Sequence, residues 1–276
     1  MATDAPRISV IIAVRNGAAT LERALASVFE QTHPDVELVV MDGASTDGSR
    51  AILERYANRI TYWESQPDRG VYHAWNKALE RATGDWICFL GADDEFAAPD
   101  TLAAIAAELV KLDPECRVAY GTLDVIGREG RAVRRVGTPW DPSAFREGMT
   151  LPHPATFHRR TLFDQHGSFD DTYRIAGDYE FLLRELLASR AHYIPLLTVR
   201  MRDGGISARP SSQPLLNLEL HRALYAHGLG RVPAWRSAGV WRARARWQLQ
   251  RAVGVRASDA LVRVYRRARA TARRTG

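Results

Sequence analysis

Asp85-Trp86-Ile87-Cys88-Phe89-Leu90-Gly91-Ala92-Asp93-Asp94 is an apolar run that stops abruptly at two adjacent carboxylates. The run reads as a strand. Burying an uncompensated charge is costly, so the Asp pair belongs at the strand's open end. Two hard oxygen donors at such a mouth suit a divalent cation such as Mg²⁺ or Mn²⁺. The plainer reading is a polar turn whose Asp caps a helix over Ala97–Leu112, and the pair taken alone favours that plainer reading.

Upstream the pattern repeats. Ile8-Ser9-Val10-Ile11-Ile12-Ala13-Val14 is a β-branched apolar run suited to a strand buried on both faces, Val36–Met41 is a second and Ile60–Glu64 a third. Between them Leu21, Leu25, Val28 and Phe29 fall on one side of a helix, as do Ile52, Leu53 and Tyr56, and Ala74–Ala82 reads as another helix. This alternation predicts an α/β fold with a Rossmann-like, mainly parallel central sheet and helices on both faces. Ligands of such sheets bind beyond the carboxyl ends of the strands. Each run here ends in a polar cluster: Asn16, then Asp42 to Asp47, then Asp68 to Gly70, then Asp93 and Asp94. Parallel strands bring all four clusters to one edge, which predicts a ligand site there.

Downstream, Arg117–Ile126 and Ala132–Gly137 flank Gly127-Arg128-Glu129-Gly130, a hairpin signal. Thr138–Pro154 is Pro-rich and irregular. Ala155–Phe157 reads as a short strand, Arg160–His166 as a helical turn, Tyr179–Leu187 as a helix and His192–Met201 as a strand ending at Gly204-Gly205.

The chain has 276 residues, 46% hydrophobic and 25% charged, as expected for one large domain or one domain plus an appendage. Its two cysteines, Cys88 and Cys116, form no CxxC pair, which argues against a disulfide framework or zinc site and fits a reducing compartment. Met1–Arg7 is short and polar without a signal-peptide h-region, and no window approaches a spanning helix. The net charge of +6 is unevenly spread: from Arg222 to Gly276 there are 14 Arg against one acid, Asp259, leaving an acidic remainder. Trp235, Trp241 and Trp247 are interleaved with those arginines. Arginine with Trp and Leu fits amphipathic helices on an anionic membrane surface; a helical hairpin packed on the body, or an oligomer contact, fits as well. Nucleic acid is not expected, since no nucleic-acid motif accompanies the charge.

Together these segments resemble the inverting glycosyltransferases of family 2, of the bacterial cell-surface polysaccharide type, with the GT-A fold. The matching pieces are Val10-Ile11-Ile12 through Asn16, Asp42-Gly43-Ala44-Ser45-Thr46-Asp47-Gly48, Asp68-Arg69-Gly70-Val71-Tyr72 leading to Asn76-Lys77, Leu90-Gly91-Ala92-Asp93-Asp94, and Gly177-Asp178-Tyr179-Glu180. The resemblance spans about Ile8–Ser207 and implies a GT-A domain over 1–210. Residues 1–115 would be its nucleotide-sugar half and 116–210 its acceptor half, with 211–276 a basic helical tail. It implies transfer from a UDP- or dTDP-linked sugar to a saccharide or lipid-linked acceptor, in the cytoplasm, peripheral on the inner face of the cell membrane. Val14, Asn16, Asp42, Asp68, Gly70 and Asp93 would hold the donor, Asp94 with Asp93 would hold Mg²⁺ or Mn²⁺, and Asp178 would be the general base.

The residue types suit that chemistry. The leaving nucleoside diphosphate gathers negative charge that a divalent cation neutralises, and a carboxylate suits the N3–H of a uracil ring. Gly91 stands where many members of the family carry a first Asp, so the metal rests on two carboxylates. Other readings stay open. Asp42 with Ser45 fits a turn and Asp47 a helix cap, Asp178 fits an N-cap beside its competitor Glu180, and Arg69 and Lys77 fit solvated side chains. His153 is a structural histidine or a contact to the diphosphate or acceptor, and Gly204-Gly205-Ile206-Ser207 a lid or a simple turn. A non-catalytic nucleotide-sugar-binding or scaffold protein on the same fold is the alternative function.

Overall fold

In the computed structural model, which describes residues 5–127 and 129–230, the first apolar run forms β1 (Ile8–Val14) at the middle of a parallel group. β2 (Val36–Asp42) and β4 (Trp86–Gly91) flank it, and β3 (Tyr62–Ser65) lies beyond β2. β1 has no polar face because it serves two cores. Ile8, Val10, Ile12 and Val14 pack with Leu21 and Leu25 of α1 (Ala18–Phe29), and with Ile52 and Leu53 of α2 (Ser49–Arg55). On the other side Ile11 packs with Tyr72 and Ala74 of α3 (Val71–Leu79). The period-2 alternation of a strand divides the run between the two layers.

The chain continues through β5 (Glu95–Phe96), α4 (Thr101–Leu109), β6 (Val118–Ile126), β7 (Ala132–Val136), α5 (Pro142–Glu147) and β8 (Thr156–Arg159). It ends, among the described residues, with α6 (Arg160–His166), α7 (Gly177–Leu186), β9 (His192–Arg202) and α8 (Gln213–Ala226). The sheet order is β3-β2-β1-β4-β8-β6-β9-β5, with β7 paired to β6. The sheet is thus mixed, not mainly parallel in its pairings: four are parallel and four antiparallel. Helical crossovers impose parallel neighbours only in the first half. The β6–β7 hairpin is antiparallel by construction, and β8, reached through an irregular Pro-containing segment, enters reversed between β4 and β6.

Two reversals in succession cancel, so β6 and β9 point the same way as β1–β4. Register then aligns Val14 with Asp42, Asp42 with Ser65, and Ala13 with Gly91, which sets these strand ends on one edge.

α8 carries Leu216, Leu220, Ala223 and Leu224 into the same core as Leu182, Leu183 and Leu186 of α7. Residues 213–226, assigned by sequence to the tail, therefore pack on the body. The tail reading for 231–276 lies outside the described residues.

Candidate active site

At the end of β2, Asp42 is 1% exposed. Its carboxylate accepts from the Ser45 amide at 3.1 Å, from the Ser45 hydroxyl, and from Ser65 Oγ on β3 at 2.6 Å. It therefore closes the turn, as the plainer reading had it, and is held rigidly while doing so. Val14 C=O accepts the Gly43 amide at 2.8 Å. Asn16, in the left-handed region at φ 53°, donates its amide to Ser45 Oγ at 2.7 Å and accepts the Thr46 amide on Oδ1 at 2.9 Å. Asp47 ties two helices, accepting the Ala18 amide at 2.9 Å and the Ser49 amide at 3.0 Å, so its capping role stands. Asp68 comes from the next loop and lies directly over Gly43, where any Cβ would collide with its Oδ2. Its Oδ1 accepts the Gly70 amide at 2.9 Å, and Gly70 takes φ 136°, a conformation open to glycine. Val14, Asn16, Asp42, Asp68 and Gly70 are thus brought together.

Arg69 and Lys77 are not free for a phosphate. Arg69 pairs with Asp171, and Lys77 with Glu64.

Asp93 and Asp94 follow β4. The pair lies at the strand's end as expected, but the two differ in burial: Asp93 is exposed and Asp94 is 4% exposed. Burial, with Asp93 and Glu95 adding repulsion, pushes the Asp94 carboxyl up to about 8. The capped-turn reading fails, since α4 has no side-chain cap; Asp94 Oδ1 instead meets the Arg202 amide at the end of β9 at 3.3 Å. A Cβ on Gly91 would lie 2.6 Å from Asp94 Oδ2 and 3.0 Å from Asp93 Oδ1. Gly91 is thus not merely a missing ligand: its bare Cα is the space into which both carboxylates turn. Among the described residues no ion pair reaches either carboxylate, and two converging hard oxygens in that setting fit a divalent ion. No cluster of three or more His, Cys, Asp or Glu suited to a metal occurs among the described residues.

Asp178 is the second residue of α7, inside the first turn rather than at the N-cap, which is Ala176. Its Oδ1 accepts the Tyr72 hydroxyl at 3.2 Å and the Tyr179 amide at 2.9 Å. Burial pushes its carboxyl up to about 6 despite those two bonds. Gly177 lets Tyr72 approach, since a Cβ there would stand 2.8 Å from the ring. Glu180 is occupied by Arg184 at 2.6 Å and His227 at 3.0 Å, which removes it as a competitor.

His153 stacks against Trp75, ring centroids 5.0 Å apart, and Phe89, at 5.5 Å. Burial alone pushes it down to about 3, so it is neutral, and its Nε2 has no hydrogen-bond partner among the described residues. Its surroundings are a core of aromatic rings. Gly204 takes φ 108° in the turn after β9.

Sequence reasoning missed Tyr72, Ser65 and the Arg202 amide as partners of the site carboxylates. Tyr72 lay inside a quoted motif, but its partner is 106 residues away and no local pattern names it.

The family described as Glycosyl transferase family 2 matches residues 9–180 of this chain. A PGL/p-HBAD biosynthesis glycosyltransferase of Mycobacterium bovis (strain BCG / Pasteur 1173P2) is 38% identical over 183 residues, covering 65% of this chain and 70% of the relative. The crystal structure of S. aureus TarS 1-349 in complex with UDP-GlcNAc superimposes with a TM-score of 0.62 at 21% identity, over 79% of this chain and 66% of that one. The mannosyltransferase PcManGT from Pyrobaculum calidifontis, in complex with GDP-Man and Mn²⁺, has a TM-score of 0.60 at 22% identity, over 96% of this chain and 81% of that one. At these identities the two structures establish the GT-A-like α/β fold.

Proposed function

The chain belongs to glycosyl transferase family 2, and on that premise we propose that it moves a sugar from a UDP- or dTDP-linked donor to an acceptor hydroxyl with inversion, in cell-surface polysaccharide or glycolipid synthesis. One observation carries the reading. The start of α3 joins the two chemical halves: Asp68 lies over the glycine beside Asp42, and four residues on Tyr72 donates to Asp178. In this reading residues 1–115 bind the donor and 116–210 the acceptor.

Asp42, fixed by Ser45 and Ser65, presents carboxylate oxygen to a base-ring N–H, which favours uracil or thymine over cytosine, whose N3 is an acceptor. Val14, Asn16, Asp68 and Gly70 shape the floor for the nucleoside. Asp93 and Asp94 would hold Mg²⁺ or Mn²⁺, which supplies neutralising charge to the departing diphosphate. Asp178 takes the proton of the attacking hydroxyl. A carboxyl raised to about 6 is mostly ionised at neutral pH yet more basic than an ordinary aspartate, as proton abstraction requires. Tyr72 orients the accepting oxygen.

The test is a thermal-shift screen of UDP-, dTDP-, CDP- and GDP-sugars with and without Mn²⁺, followed by transfer assays with the hits. A ligand at a hundredfold excess over Kd stabilises by about 2.7 kcal/mol, so the UDP- or dTDP-sugar should stand out, and only with metal. A chain that no nucleotide-sugar stabilises would refute the reading.

The arginines beyond Arg222 support docking on an anionic bilayer, peripheral on the inner face of the cell membrane, where a lipid-linked acceptor is presented. Among the described residues no helix is long and apolar enough to cross a membrane. Removing residues 231–276 should abolish co-sedimentation with phosphatidylglycerol vesicles at low salt; undiminished pelleting counts against the idea.

A further inference from the structure

Glu219 of α8 is a buried anion, 4% exposed, whose partners are backbone amides. Its Oε1 accepts from Arg174 N at 2.8 Å, and its Oε2 accepts from Ile175 N at 2.8 Å and Ala176 N at 2.9 Å. Three consecutive amides converging on one carboxylate offset the cost of desolvating it. Those residues lead straight into α7, where Gly177 comes first and Asp178 second.

The rest of α8 grips the same segment. Arg222 donates to Asp170 Oδ2 at 2.8 Å and to Thr172 Oγ1 at 2.6 Å, and its guanidinium lies 4.1 Å from the Tyr173 ring centroid. His227 reaches Glu180 at 3.0 Å. From the opposite side Asn76 of α3 holds Phe169 by two hydrogen bonds, at 2.9 and 3.0 Å, and Tyr72 holds Asp178 itself. The chain entering α7 is therefore clamped between α3 and α8: Tyr72 holds the carboxylate directly, and Glu219 holds the backbone that leads into it.

We propose that Glu219 is a positioning residue for Asp178, fixing the backbone that aims the carboxylate, so that α8 is a working part of the catalytic unit. The proposal rests on the assignment of Asp178 as general base. Among the described residues, two ionisable side chains act on Asp178 from the helices packed on it: Tyr72 of α3 donates to it, and Glu219 of α8 repels its charge. They act oppositely. Replacing Glu219 by Gln removes a like charge and lets Asp178 ionise at lower pH. Replacing Tyr72 by Phe removes a bond to the ionised form and moves ionisation to higher pH.

The experiment measures kcat and donor KM against pH for wild type, Asp178→Asn, Glu219→Gln, Glu219→Asp and Tyr72→Phe, with melting temperatures recorded alongside. Glu219→Gln should lower kcat on the order of tenfold to a hundredfold, with donor KM little changed, and move the acid limb of kcat to lower pH. Tyr72→Phe should move it to higher pH. Glu219→Asp keeps the charge one methylene short, so kcat should fall with the limb in place, which also covers the case in which the Gln variant does not fold. If Glu219 only pegs α8 to the body, melting temperatures fall while kcat and the limb stay put, and the proposal is overturned. If Asp178→Asn retains transfer, the base assignment fails instead.

Discussion

Asp178→Asn is expected to lower kcat by roughly 10²–10⁴-fold while leaving donor KM nearly unchanged, the pattern of a lost general base. The amide is isosteric, and its oxygen still accepts from Tyr72 and the Tyr179 amide, the two bonds the carboxylate makes now. What disappears is the capacity to take a proton. Because burial raises the carboxyl to about 6, removing its charge at neutral pH relieves a desolvation penalty, so the variant should melt no lower than wild type. Loss of activity without loss of stability separates a chemical role from a structural one. In the wild type, kcat should rise with pH through about 6 and level off. Full activity in the Asn variant would remove Asp178 from the mechanism.

The metal-free protein should lose stability as pH rises from about 4 to about 8, and Asp94→Asn should erase most of that loss. The folded carboxyl of Asp94 sits at about 8 against an ordinary 3.8, so between those values the native state holds a proton that the unfolded chain has released. Stability is whole below the ordinary value and falls as pH climbs toward 8. Asp178 contributes in the same sense up to about 6. At 1.36 kcal/mol per unit, the Asp94 loss has an upper bound of about 6 kcal/mol. Carboxylates held low, such as Glu37 and Asp124, act in the opposite direction at acid pH and are common to both proteins, so the wild-type-minus-variant difference isolates Asp94. Mn²⁺ should restore wild-type stability at pH 8 and do little for the variant. Urea unfolding from pH 4 to 8, with and without metal, measures this. A flat wild-type profile would mean that burial does not destabilise the ionised Asp94, and equal rescue of both proteins by Mn²⁺ would mean that Asp94 is not a ligand.

Much of this was legible in the sequence because the donor edge is built from local signals. Four apolar runs end in polar clusters, and helical crossovers make their strands neighbours. The rest depended on contacts that no window contains. β5 is two residues long, too short to leave a pattern. β8 runs reversed because it keeps the direction of β7, already turned back by the hairpin, after a connection through α5, and only the path of the chain reveals where it enters the sheet. The backbone partner of Asp94 is Arg202 at the end of β9, 108 residues downstream. His153 was ambiguous because a loop histidine and a histidine inside a nest of aromatic rings look alike until the rings are in place. Glu219 lay in a stretch assigned to a tail, where an acid reads as solvated.

The two sides of the site differ in when the chain can complete them. Asp42 and Asp68 find their partners on β1, β2, β3 and the loops joining them, all within the first 70 residues. The amides before Asp178 wait for Glu219, more than 40 residues later. Synthesis runs from the N-terminus, and a domain folds as a unit. On the proposed roles, a change in α8 therefore reaches the aim of Asp178, while the partners of Asp42 and Asp68, all local in sequence, stay as they are.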